Sequence, residues 1–258
     1  MSRFVNLEFG DESARQQPVM GNAIKDEAFY VREARLAFEN ADFEPALRSY
    51  AKVLEHNPQN ASGWTGQVRA LVELGEYREA KLWADKALER FPREPELLAA
   101  KAVALARMGD LEAAMAFSDA SIEERGETPF IWLARGDVLL ARQEKRADYC
   151  FEKALMAAAN DWFTHWLASR VYRFYTQFSK ALKIAQRAME LAADRWVVWL
   201  QLGYCQASLG MAEPARISFQ QALQLEPRCI PAQVALAGLE HTGFGSRLRA
   251  AWNGFFST

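Results

Sequence analysis

Three histidines, three cysteines and two adjacent acid pairs are the residues most able to build a reactive centre here, and their placement argues against one. His56, His165 and His241 lie far apart, and none has a second His, Cys or Asp at metal-ligand spacing. Cys150, Cys205 and Cys229 show no paired spacing, so the chain predicts reduced, packed thiols and a reducing compartment. Glu123-Glu124 and Asp11-Glu12 read as solvated charge rather than as a general acid and base. No G-x-S-x-G elbow, phosphate-binding loop or dinucleotide glycine pattern occurs. The expectation is a protein that is not an enzyme and carries no metal and no cofactor.

Recognition chemistry is better represented. Phe163, Trp166, Arg170, Arg173 and Phe174 interleave aromatics with arginine in one short stretch, and Tyr204 follows. Aromatic and arginine side chains dominate binding hot spots, because they bury much surface at modest entropic cost. Arginine also forks onto carboxylates as lysine cannot.

The elements that must carry these residues are repeated helices. Ala46, Ala80, Ala114, Ala147, Ala181 and Ala215 recur at spacings of 34, 34, 33, 34 and 34 residues. Val53, Ala87, Ser121, Ala154, Ala188 and Ala222 form a second ladder seven residues on, and Tyr50, Ala84, Ser118, Phe151, Ala185 and Phe219 fall between. Small residues at helical spacing mark where helices approach closely. Pro58, Pro92 and Pro227 close units, since proline cannot continue a helix. Ala41-Asp42, Gly75-Glu76, Gly109-Asp110 and Gly210 mark turns inside units.

This pattern resembles the tetratricopeptide repeat, W-x2-L-G-x2-Y, then A-x3-F, then A, then P. Trp199, Leu202, Gly203, Ala215, Phe219, Ala222 and Pro227 fit one copy, with Gln206 in place of the Tyr. Trp132, Gly136, Ala147, Phe151 and Ala154 fit a second, and Trp64, Ala80, Ala87 and Pro92 a third. The resemblance implies an all-α, right-handed α-solenoid of six helix pairs, at 27–60, 61–94, 95–127, 128–161, 162–195 and 196–229. A capping helix follows at 230–242, completing a solenoid over 23–242. Residues 1–22 read as a flexible arm with an apolar start (Phe4, Val5, Leu7, Phe9). Residues 243–258 read as an amphipathic tail (Leu248, Trp252, Phe255, Phe256).

In such arrays the first helix of each unit lines a concave groove, through its second, fifth, ninth, twelfth and thirteenth residues. That counting assigns Arg35, Phe38 and Glu39 to the groove from the first unit, Thr65, Arg69 and Glu73 from the second, and Val103 and Arg107 from the third. Phe163, Trp166, Arg170, Arg173, Phe174 and Tyr204 come from the fifth and sixth. Trp166 has two placements. It takes a core place if matched to Trp132, and a groove place if the unit is registered on Ala181, Ala188 and Tyr172. Trp64, Trp132 and Trp199 read as core. The two-carboxylate clamp of chaperone-binding relatives needs Lys and Asn where this chain has Val31, Arg35, Thr65, Arg69, Ala99 and Val103, so binding to chaperone tails is not expected.

Charge and length bound the remainder. Lysine and arginine number 31 against 33 acids, a net charge of −2, which gives no general pull toward nucleic acid or an anionic membrane. No apolar run reaches the roughly 18 residues that would suggest a membrane span, and the N-terminus lacks a secretion signal, so a cytoplasmic protein is expected. The function expected is a non-catalytic interaction module or scaffold that binds a peptide, helix or partner protein in its groove. The alternative is self-assembly, a homo-oligomer or self-occupied monomer formed when the arm or tail docks in a groove. RNA binding ranks third.

Overall fold

Local caps define where the helices begin. The side chains of Asp26, Asn60, Asp110 and Asp161 accept from backbone N–H groups two or three residues ahead, which satisfies donors that a helix start leaves bare. Pro95 and Pro129 open their helices where a missing N–H costs nothing. A computed structural model describes residues 25–124 and 127–240. The predicted arm and tail, with Asp11-Glu12 and His241, lie outside the described residues.

Among those residues there are thirteen helices and no strand. They are α1 Glu27–Glu39, α2 Phe43–His56, α3 Ala61–Glu73, α4 Tyr77–Arg90, α5 Pro95–Met108, α6 Leu111–Glu123, α7 Pro129–Ala141, α8 Ala147–Ala157, α9 Trp162–Phe174, α10 Phe178–Leu191, α11 Trp196–Ser208, α12 Ala212–Leu225 and α13 Ile230–Glu240. This is the all-α helical-repeat architecture that the ladder implies. The helices form two compact units, divided between Lys145 and Arg146. The first holds α1–α7 and the second α8–α13, so the division falls inside the fourth predicted pair, 128–161.

Within a unit the ladders are the contact lines. All twelve ladder residues are at most 1% exposed. The turn inside each pair also repeats, with positive φ at Ala41, Gly75, Gly109, Gln143, Thr176 and Gly210. Glycine takes that conformation without strain; Thr176, which is β-branched, is held there against its preference. The sequence signals marked four of the six turns and missed Gln143 and Thr176, which carry no turn-forming residue type.

The fourth residue of several first helices clamps the preceding turn. Trp64 Nε1 donates to the Pro58 carbonyl at 3.0 Å, Trp199 Nε1 to Ala193 at 2.8 Å, and Gln233 Nε2 to Pro227 at 3.0 Å. Trp64 is buried as expected, but Trp132 and Trp199 are only half-buried. For Trp199 the indole edge reaches outward to the turn it binds. Trp83, on α4, is buried beside Trp64 with ring centroids 6.0 Å apart.

α13 packs Ala235, Leu236 and Leu239 against the Phe219 cluster. Its other side exposes Ile230 and Val234, 68% and 66% accessible, rather than the polar face expected of a closing helix. The reason is composition: along Ile230–Leu239 the only polar side chain is Gln233.

Candidate functional site

Two groups of the sequence-predicted residues come together, one in each unit. In the first unit Arg69, the ninth residue of α3, lies between two rings. Its guanidinium carbon is 3.9 Å from the Phe130 centroid and 5.2 Å from that of Phe38. Burial pulls its pKa below the usual arginine value, while Tyr50, Glu96 and Glu73 act the other way. It remains charged, as arginine does in proteins. Phe130 escaped the sequence reading, although it is the second residue of α7 just as Phe163 is of α9; α7 begins at Pro129, one residue after the predicted unit start at 128, so counting from that start lands on Pro129 instead. Arg35 stays outside this group. Its side chain is 78% exposed and pairs with Glu39, one turn along α1, at 2.8 Å.

Arg107 is not a groove residue. Its Nη2 lies 2.6 Å from Asp137 Oδ2 on α7, with the two side chains 8% and 3% exposed, and it hydrogen-bonds Tyr77 as well. A buried arginine needs a partner, and α7 supplies one 30 residues away in sequence. Asp137 was missed because an acid on a first helix looks like a solvated charge until its partner is known.

In the second unit the capping of α9 sets the face. Asp161 accepts from the N–H groups of Phe163 and Thr164 and from the Thr164 hydroxyl, and its carbonyl lies 2.9 Å from His165 Nδ1. This anchors the first turn and so the rotation of the helix. Phe163 stacks on Trp166, with centroids 5.5 Å apart, and the Arg170 guanidinium sits 4.8 Å from the Trp166 ring. Arg173 lies 4.8 Å over Tyr204 of α11, which in turn meets Phe219 edge-on. Burial raises the Tyr204 hydroxyl pKa, and the neighbouring arginines oppose the rise. Each such cation–ring contact contributes about 0.5–2 kcal/mol, according to how dry it is. Phe174 packs against Tyr175.

Trp166 itself is core. It is 1% exposed, and its Nε1 donates to the Val197 carbonyl of α11 at 3.2 Å. The groove placement of Trp166 is therefore corrected. It is the fifth residue of α9, and the fifth residues Thr65, Ala99, Leu133 and Leu200 are buried too, whereas Val31 of α1 and Val234 of α13 are exposed. In α9 this position looks sideways at the next first helix and is covered by it. Phe163, Arg170, Arg173, Phe174 and Tyr204 are all part-exposed, although Nε and Nη1 of Arg173 are themselves buried.

Among the described residues no three His, Cys, Asp or Glu side chains gather to hold a metal ion. Each cysteine is a buried thiol, and burial pushes that of Cys205 up to about 12. No described helix is long and apolar enough to cross a membrane.

Tetratricopeptide-repeat family models match residues 37–102 and 197–229. Comparison with curated proteins gives no match. Among solved structures, the thermophilic TPR protein TTC0263 of Thermus thermophilus superimposes with a TM-score of 0.52 at 18% identity, over 84% of this chain and all of that one. The human IFIT1 dimer with m7Gppp-AAAA gives 0.53 at 16%, over 92% of this chain and 61% of that one. The APC/C hetero-tetramer Cut9-Hcn1 gives 0.52 at 15%, over 83% and 43%. This chain thus spans under half of the chain matched in the Cut9-Hcn1 assembly and about three-fifths of IFIT1. At these identities the likeness is one of fold.

Proposed function

The chain belongs to the tetratricopeptide-repeat family, whose fold supports protein-interaction and scaffold roles in general, and from that premise we propose that it is a non-catalytic module whose α9–α11 face binds a segment of a partner protein. The observation that supports this most is the pairing of Arg170 and Arg173, both on α9, with the rings of Trp166 and Tyr204, beside part-exposed Phe163 and Phe174. The rings hold the guanidinium groups in place, so less side-chain freedom is lost when a carboxylate arrives. The partner segment carries both acidic and apolar anchors.

Arg170→Ala/Arg173→Ala should weaken capture of native partners from a lysate by about 1–4 kcal/mol, the range for removing central anchors. Thermal melts run beside the binding assay separate this from a folding defect. A double variant that melts like the wild type and retains every partner at full strength sinks the proposal. RNA is the weaker reading. The likeness to IFIT1 is one of fold, and the net charge of −2 supplies little phosphate attraction.

A further inference from the structure

Charge in the second unit is segregated by helix layer. Its first helices α9 and α11 carry Arg170 and Arg173 and no carboxylate, and α13 has none before Glu240. The acids of the unit's helices sit instead on second helices, as Asp148, Glu152, Glu190 and Glu213. The first unit differs, because α1, α3, α5 and α7 contribute Glu39, Glu73, Glu96 and Asp137. The α9–α11 face is thus cationic and aromatic, and it fits an occupant with carboxylates and large apolar side chains close together.

The chain contains one such segment outside the described residues. Residues 4–12, Phe-Val-Asn-Leu-Glu-Phe-Gly-Asp-Glu, combine Phe4, Val5, Leu7 and Phe9 with Glu8, Asp11 and Glu12 and hold no basic residue. Residues 241–258 are also aromatic, but their charged side chains are Arg247 and Arg249, the same sign as the face. Charge complementarity therefore selects the first segment over the second. Resting on the reading of α9–α11 as a recognition face, we propose that residues 4–12 of this chain are a ligand of that face, their acidic and apolar residue types complementing its arginines and its aromatic rings. The arm then competes with any partner for the same residues, and an arriving partner must displace it.

The test uses the full chain carrying Phe4→Ser, Leu7→Ser and Phe9→Ser, which disables its own arm, titrated with a fluorescently labelled peptide of residues 1–14 and read by anisotropy. Saturable binding is expected. Adding Arg170→Glu/Arg173→Glu should weaken it by about tenfold or more. A peptide with Glu8→Lys, Asp11→Lys and Glu12→Lys should lose binding to the same degree, a comparison that leaves the protein unchanged and holds even if the double glutamate variant folds poorly. No saturable binding, equal binding of the charge-reversed peptide, or equal binding of a scrambled peptide each overturns the inference. If partner capture depends on Arg170 and Arg173 while the peptide does not bind, the proposed function stands and this inference alone falls.

Discussion

Gly203→Ala tests the packing logic of the repeat with the smallest possible change. Gly203, on α11, faces the Phe219 ring on α12, and a Cβ built there would lie 2.6 Å from Cε1 and 2.7 Å from Cδ1. Carbon atoms rest at about 3.5–4.0 Å, so the ring would have to retreat by about 1 Å. Phe219 is 1% exposed and sits among Ala215, Ala222, Cys229 and Ala232, which leaves it little room. Overpacking of this kind costs about 1–3 kcal/mol, while replacing a helical glycine by alanine returns up to about 1 kcal/mol. The net expectation is a loss of about 1–2 kcal/mol, which lowers the melting temperature by roughly 2–8 °C for a chain of this size. Gly238→Ala is the internal control. It too is a helical glycine, but a Cβ there meets nothing within 4 Å, so that variant should melt at or above the wild type. Phe219→Leu in the Gly203→Ala background supplies the second check. Each change alone should destabilise, and the double variant should cost less than the sum, because the smaller side chain relieves the clash. Melts followed by circular dichroism, with urea midpoints, read the wild type and all four variants. Gly203→Ala melting with Gly238→Ala, or additive single and double variants, would refute the reasoning.

Three further outcomes follow from buried charge and burial. Arg107→Leu should destabilise by about 3–5 kcal/mol in urea titrations, because it strands Asp137, which is 2% exposed, whereas Arg107→Met/Asp137→Leu should recover most of that loss. Burial pushes the Asp85 carboxyl pKa up, but hydrogen bonds from Lys101 and Lys81 outweigh it and hold the value below the usual range. Its stabilising share is then complete above the unfolded aspartate value near about 4 and is lost as pH falls through the lower folded value; the stability gap between wild type and Asp85→Asn should be constant near neutrality and shrink below about pH 4. The Cys205 thiol, 0% exposed and with its pKa pushed up to about 12, should resist alkylation at about pH 8 in the native protein and react once urea unfolds it, as read by mass spectrometry.

The repeat was legible in the sequence because its constraint is local and recurs. Wherever two helices touch, a bulky side chain cannot fit, so Ala46, Ala80, Ala114, Ala147, Ala181 and Ala215 mark each contact and were all found buried. Gly203 was legible for the same reason: the repeat pattern places a glycine opposite the Phe219 position. The rotation of each first helix could be counted from its start, and that counting placed Arg170, Arg173 and Tyr204 on one face. Tertiary structure alone decided what becomes of each side chain on such a face, because that depends on a neighbour about 30 residues away whose identity the period does not predict. Trp166 and Arg170 lie one turn apart on α9, yet α11 covers the first and leaves the second part-exposed. Arg69 and Arg107 looked alike in sequence. Phe130 gives one of them an aromatic bed, and Asp137 gives the other a buried carboxylate, which turns a candidate binding residue into an element of the core.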